Sequence, residues 1–142
     1  MDQANSLPVR AFVVGDSKDG MGSLAWLLRV GHHCEVTICL DGPSCLEAVR
    51  SCPPHLVFLD LAAPDMNGFR VIEALKVLQL LSTLFVALGD SPSKFYEREC
   101  RDAGFDFYEP KPIEAYRLKA IVDEARRSGA DSALESVFDV QS

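Results

Sequence analysis

At 142 residues, with 48% apolar and 25% charged side chains, the chain can bury the core of one globular domain and is too short for a second. A net charge of -7 excludes a protein that grips a phosphate backbone through a concentrated basic face, and the pair Arg126 and Arg127 is too small to supply one. No stretch approaches the roughly 18 apolar residues of a membrane span, and MDQANSLPVR lacks a signal peptide's charged start and apolar middle, so a cytoplasmic protein without direct nucleic-acid or membrane binding is expected.

Five strand-like runs alternate with segments of helical spacing: Ala11 to Val14, Val36 to Leu40, Leu56 to Leu59, Leu84 to Leu88 and Phe105 to Tyr108. After the first, Met21, Leu24, Ala25 and Leu28 follow i, i+3, i+4, i+7. His32 and His33 close that helix beside Gly31 as helix-end histidines, since no third residue has ligand spacing. A second helix starts from Asp41-Gly-Pro-Ser and carries Leu46 and Val49 inward. The stretch HLVFLDLAAPDMNG is too apolar for a half-exposed strand and too short for a helix, so Leu56 to Asp60 reads as a strand buried on both faces that ends in a carboxylate. A buried carboxylate is costly unless it is paired, hydrogen-bonded or bound to metal, so Asp60 needs partners.

Ile72 and Leu75 mark a third helix after Gly68, and VLQLLSTL (77 to 84) reads as that helix running directly into the fourth strand. A fourth helix opens at Ser91 with Pro92 in its first turn and stops before Gly104; a fifth follows Pro112 with Leu118, Ile121 and Val122 inward. The expected organisation is an extension at 1–8, a domain at 9–126 and a tail or linker remnant at 127–142, in which SALESVF forms one or two turns. The five cysteines, 34, 39, 45, 52 and 100, have no CxxC spacing and read as reduced core thiols.

Strands joined by helical crossovers make a parallel sheet with helices on both faces; the doubly wound, flavodoxin-like order 2-1-3-4-5 is expected. Ligands bind such α/β sheets beyond the strands' carboxyl ends, where the winding reverses, here between strands one and three. Asp16, Asp60 and Lys111 each follow or end a strand at that edge. A carboxylate pair with no His or Cys nearby suits a hard cation such as Mg²⁺. A carboxylate can also attack phosphorus when a cation and a lysine neutralise the phosphoryl oxygens.

The segments VVGDS, LVFLDLAAPDMNG, VALGD and AGFDFYEPKP, in this order over roughly residues 9 to 126, resemble the receiver domains of two-component response regulators. Intervals of 44 from Asp16 to Asp60, 29 to Gly89 and 22 to Lys111 are similar to those of the family. The resemblance implies a regulatory phosphoacceptor, not an enzyme, with Asp60 phosphorylated from a phosphohistidine on a sensor histidine kinase or phosphotransfer protein. It implies further that Asp16, Asp60 and the Ala62 backbone carbonyl hold Mg²⁺, that Lys111 pairs with the phosphoryl group, and that the Lys111–Pro112 bond is cis.

Two positions depart from the family pattern. Gly15 stands where a second acid is usual, which weakens the metal site; Asp19 reads as a helix cap rather than a substitute. Gly89 replaces the Thr or Ser whose hydroxyl meets the phosphoryl group and couples it to an aromatic on strand five, here Tyr108, and Asp90 adds a negative charge. Two functions follow: a phosphorylatable receiver with an altered switch, or a degenerate receiver acting as a phosphorylation-independent interaction module. A phosphatase using Asp60 as nucleophile lacks a separate general acid. Output then passes through a downstream protein or output domain. The fourth helix, fifth strand and fifth helix, presenting Phe95, Tyr96, Tyr108 and Tyr116, are the expected docking face and one for a homodimer.

Overall fold

The computed structural model describes residues 8–15, 21–63, 67–90 and 94–141, with side chains described for all of these except 94, 95 and 129–141. Five apolar runs form the strands β1 (Arg10–Val14), β2 (Glu35–Cys39), β3 (Leu56–Asp60), β4 (Leu84–Gly89) and β5 (Phe107–Pro110), all parallel, in the order β2-β1-β3-β4-β5. Between them lie α1 (Met21–Trp26) with a π-helical continuation (Leu27–Gly31), α2 (Gly42–Ser51), α3 (Gly68–Val77), α4 (Lys94–Ala103) and, after β5, α5 (Ala115–Gln141). Among the described residues no helix is long and apolar enough to cross a membrane.

The sheet is covered on both faces, which explains the unbroken apolar run of β3. Leu56 and Phe58 pack with Leu24, Leu28, Leu118, Ile121 and Val122 on the side of α1 and α5, while Val57 and Leu59 pack with Cys45, Val49, Ile72, Leu75 and Cys100 on the side of α2, α3 and α4. Each such buried side chain contributes about 1.5–3 kcal/mol over an exposed one. Met21, Leu24, Ala25 and Leu28 are the buried residues of the first helix, as their spacing requires. Local chemistry sets the helix starts. Asp41 caps α2 by accepting the Ser44 N–H at 2.8 Å, with Pro43 in the first turn, and Asn67 caps α3 by accepting the Arg70 N–H at 3.3 Å.

The structure corrects three expectations. β5 starts at Phe107 rather than Phe105, because Phe105 closes the end of α4: its N–H donates to the Cys100 carbonyl at 3.0 Å and Gly104 before it takes φ +118°. The helix at VLQLLSTL does not run into β4. α3 ends at Val77, the chain turns through Gln79 at φ 54°, and Val77 and Leu81 are left exposed. The region expected as a tail is helical, α5 running on to Gln141 over about 40 Å at 1.5 Å per residue. Cys34, Cys39, Cys45 and Cys100 are buried and Cys52 is exposed. His32 and His33 lie at the end of the π-helical segment, His33 with φ 55°.

Candidate functional site

The carboxyl ends of β1, β3, β4 and β5 meet at the reversal between β1 and β3. Asp60, the last residue of β3, is fully buried, so its charge has to be met within the protein. Its Oδ1 accepts the N–H of Ala62 at 2.9 Å, a turn bond two residues along the chain. Its Oδ2 accepts from Lys111 Nζ at 3.0 Å, across 51 positions of sequence. The lysine reaches this oxygen because the chain leaving β5 is held against β4 by the Lys111 N–H, which donates to the Gly89 carbonyl at 2.8 Å, and then turns through a cis Lys111–Pro112 bond. The partner that the sequence demanded for Asp60 is therefore Lys111.

Asp90 competes for the same cation. Its Oδ1 lies 3.6 Å from Lys111 Nζ, but its side chain is 73% exposed, so water screens the pair. One β-strand away, the carboxylate of Glu109 is buried in β5 and held by the Arg117 guanidinium through Nε at 3.0 Å and a second nitrogen at 2.6 Å. That hydrogen bond holds the Arg117 guanidinium above its ordinary range, and it ties α5 to the sheet behind Lys111.

Both glycines of the site are filled spaces. A β-carbon on Gly15 would stand 2.8 Å from the β-carbon of Asp60 and 3.3 Å from Met21 Cγ, so a second acid has no room without moving the ends of β1 and β3 apart. A β-carbon on Gly89 would overlap the Tyr108 hydroxyl and lie 2.7 Å from Cε1 and Cζ of that ring. Tyr108 is thus turned in, into the room a side chain at 89 would take. It stacks on Tyr96 with centroids 5.6 Å apart, and Tyr96 stacks on Phe69 at 6.0 Å. Burial first, then nearby negative charge including Asp90, raises the Tyr108 phenol above its ordinary value and keeps it protonated at neutral pH.

The buried described donor here is a hard oxygen group, the Asp60 carboxylate, which suits Mg²⁺ in type and offers few negative charges. Among the described residues no group of three His, Cys, Asp or Glu is arranged to hold a metal. Asp16 and Asp19, with Ser91 and Pro92, lie outside the described residues, as does the Phe95 side chain. Of the other aromatics expected on the docking face, Tyr116 is exposed, whereas Tyr96 and Tyr108 are half-buried in the ring stack.

A feature missed in the sequence adjoins Lys111: a cavity of about 380 Å³ lined chiefly by Met21, Leu24, Leu27, Leu88, Pro112 and Ile113, with Lys111 at its edge. Leu27 of this lining stands exposed on the first helix together with Trp26 and Val30, at 43%, 61% and 57%. The signal was legible: 26, 27 and 30 are apolar on the side of the helix turned away from 21, 24, 25 and 28.

Comparison with known proteins identifies the family and the fold. The sequence pattern of the response regulator receiver domain family matches residues 11–123. The chain belongs to the response regulator receiver domain family. Among relatives of this receiver, sensory transduction protein RegX3 of Mycolicibacterium smegmatis is 32% identical over 84% of the chain and 51% of the relative, and DNA-binding response regulator MtrA of the same organism is 32% identical over 93% and 58%. The chain thus spans about half the length of the curated relatives it matches. The receiver also shares its fold with chemotaxis response regulator CheY4 of Vibrio cholerae (TM-score 0.72, 18% identity, covering 84% of this chain and 99% of the other). A second structure with this fold is a co-crystal of the Saccharomyces cerevisiae phosphotransfer protein Ypd1 with the receiver domain of Ssk1 (TM-score 0.72, 20% identity, 81% and 86% covered).

Proposed function

We propose that this receiver accepts a phosphoryl group on Asp60 from a phosphohistidine and signals through protein contacts. The observation that carries this reading is the Lys111–Asp60 pair, 3.0 Å apart at the reversal point of the sheet. In the transfer an Asp60 oxygen bonds to phosphorus as the donor's P–N bond breaks, and the released imidazole takes up a proton. Lys111, already beside the carboxylate, then faces the phosphoryl oxygens. Asp60, Asp16 and the Ala62 carbonyl are the residues that would hold Mg²⁺, whose part is to neutralise charge on those oxygens. Leu27, which lines the cavity next to Lys111, and the exposed Trp26 and Val30 on the same helix offer the donor an apolar seat. The Ssk1 receiver's complex with a phosphotransfer protein favours a donor of that kind here. Like its family, the receiver is a regulatory domain, and its own chemistry extends at most to self-phosphorylation and self-dephosphorylation at Asp60. We place it in the cytoplasm, acting through a downstream protein or output domain.

Three observations favour the second reading, a phosphorylation-independent interaction module: Asp60 is fully buried, Asp90 shares its lysine, and Tyr108 already fills the space beside Gly89. Incubation with Mg²⁺ and acetyl phosphate, read by intact mass, separates the two. The phosphoacceptor reading expects a labile phosphoryl adduct on the wild type and none on Asp60→Asn. No adduct at millimolar reagent would leave the interaction module.

A further inference from the structure

We propose that Cys39 and Cys45 are a modification site, a thiol pair that a peroxide closes into a disulfide between the end of β2 and the first turn of α2. The inference does not depend on Asp60 being the phosphoacceptor. Cys39 is the last residue of β2 and Cys45 lies in α2, and both are buried on the α2, α3 and α4 side of the sheet. Their sulfurs meet directly: the Cys45 thiol donates a hydrogen bond to Cys39 Sγ. The backbone holds both ends of this contact. Asp41 caps α2, its side chain accepting the Ser44 N–H at 2.8 Å and its carbonyl accepting the Cys45 N–H at 3.2 Å, so Cys45 is fixed just past the strand end. Cys39 is fixed by the sheet, its carbonyl accepting the Gly15 N–H at 3.0 Å.

The contact also divides the roles. The hydrogen bond from Cys45 holds the Cys39 thiol below its ordinary value despite burial, while donating that bond, and then burial, hold Cys45 above it. Cys39 is therefore the attacking thiolate and Cys45 the resolving thiol. Burial, then Glu99 and Glu97, push the Cys100 thiol the other way, up to about 11. Cys34 is buried on the opposite face of the sheet, and Cys52 is exposed at the end of α2. β2 is an edge strand and Leu40, next to Cys39, is 60% exposed, so a local opening of the first turn of α2 admits a molecule as small as hydrogen peroxide. Cys39 Sγ bonds to one peroxide oxygen as the O–O bond breaks; the departing oxygen takes the thiol proton and leaves as water, and Cys39 becomes a sulfenic acid. Cys45 Sγ then bonds to Cys39 Sγ as the S–O bond breaks, and the hydroxyl leaves with the Cys45 proton as a second water. The two electrons the thiols give up reduce the peroxide.

The test treats the folded wild-type chain with millimolar hydrogen peroxide, blocks the remaining thiols with N-ethylmaleimide in denaturant, and digests with trypsin and Asp-N, which cut between Cys39 and Cys45 at Asp41. Peptides 30–40 and 41–50 should appear joined through Cys39 and Cys45 and should separate on reduction, with Cys34 and Cys100 still carrying the maleimide. Maleimide on both Cys39 and Cys45, or a link from Cys45 to Cys34, would overturn the inference. Serine at either position tests the roles. Cys45→Ser keeps a hydrogen-bond donor but no resolving thiol, so Cys39 should stop at the sulfenic acid and be trapped by dimedone, whereas Cys39→Ser should leave Cys45 unlabelled. Dimedone on Cys45 instead would overturn the assignment of Cys39 as the attacking thiol. If a serine variant fails to fold, the wild-type digest still decides whether the pair closes.

Discussion

Gly15 at the end of β1 and Gly89 at the end of β4 stand on either side of Asp60, and the room beside them is taken by groups of different stiffness. Beside Gly15 it is the Asp60 β-carbon, one bond from the backbone of a strand buried on both faces. Beside Gly89 it is the far end of the Tyr108 ring, which turns on two side-chain torsions. The first glycine is built into the sheet, while the second is a space that one side chain can vacate. Departures of the same type from a family pattern thus have different reversibility, decided by what has moved in.

Alanine at each position tests this difference directly. Gly15→Ala forces backbone-linked atoms apart and should cost about 1–3 kcal/mol in urea unfolding, the range for overpacking a core. Gly89→Ala should cost under about 1 kcal/mol, because Tyr108 swings out, and the swing should appear as a changed ¹⁹F shift in protein carrying 3-fluorotyrosine. Equal costs, or an unmoved tyrosine in Gly89→Ala, would break the comparison.

A smaller effect comes from the amino-terminal end of the sheet, where neutral hydrogen bonds replace the charges of the site. The His55 Nδ1 accepts the Arg10 N–H at 2.9 Å, and Thr83 Oγ1 donates to the Pro54 carbonyl at 2.6 Å. Burial, then the Arg10 charge, holds His55 below its ordinary value. The unfolded chain therefore takes up this proton first as pH falls. The stabilisation is full above about pH 6.5 and is lost as pH drops through that value toward the folded one. Unfolding free energy should decline on acidification across this window, and His55→Asn, which keeps an acceptor without titrating, should flatten the slope.

Much of this is legible in the amino-acid sequence. The run Leu56 to Asp60 could only be a strand covered on both faces, and a charge at its end required a partner, which Lys111 provides at 3.0 Å. Met21, Leu24, Ala25 and Leu28 announced the inner face of the first helix. What periodicity cannot express was lost. Phe105 is as apolar as a strand residue, yet its N–H serves a helix end; Leu81 is apolar and 96% exposed in a turn. Whether Tyr108 lies inward depends on volume at residue 89, a contact between two strands that neither strand's own pattern records. The carboxylate of Asp90 was expected to oppose a phosphoryl group; its attraction to Lys111 depends on a distance only the fold supplies.

The claim on which the account turns is that the carboxylate of Asp60 takes the phosphoryl group. Borohydride reduces an acyl phosphate to an alcohol, so protein treated with acetyl phosphate and Mg²⁺ and then borohydride should yield, in the tryptic peptide 51–70, homoserine at position 60 with Asp65 intact. An unreduced peptide, or homoserine at 65 alone, would contradict it.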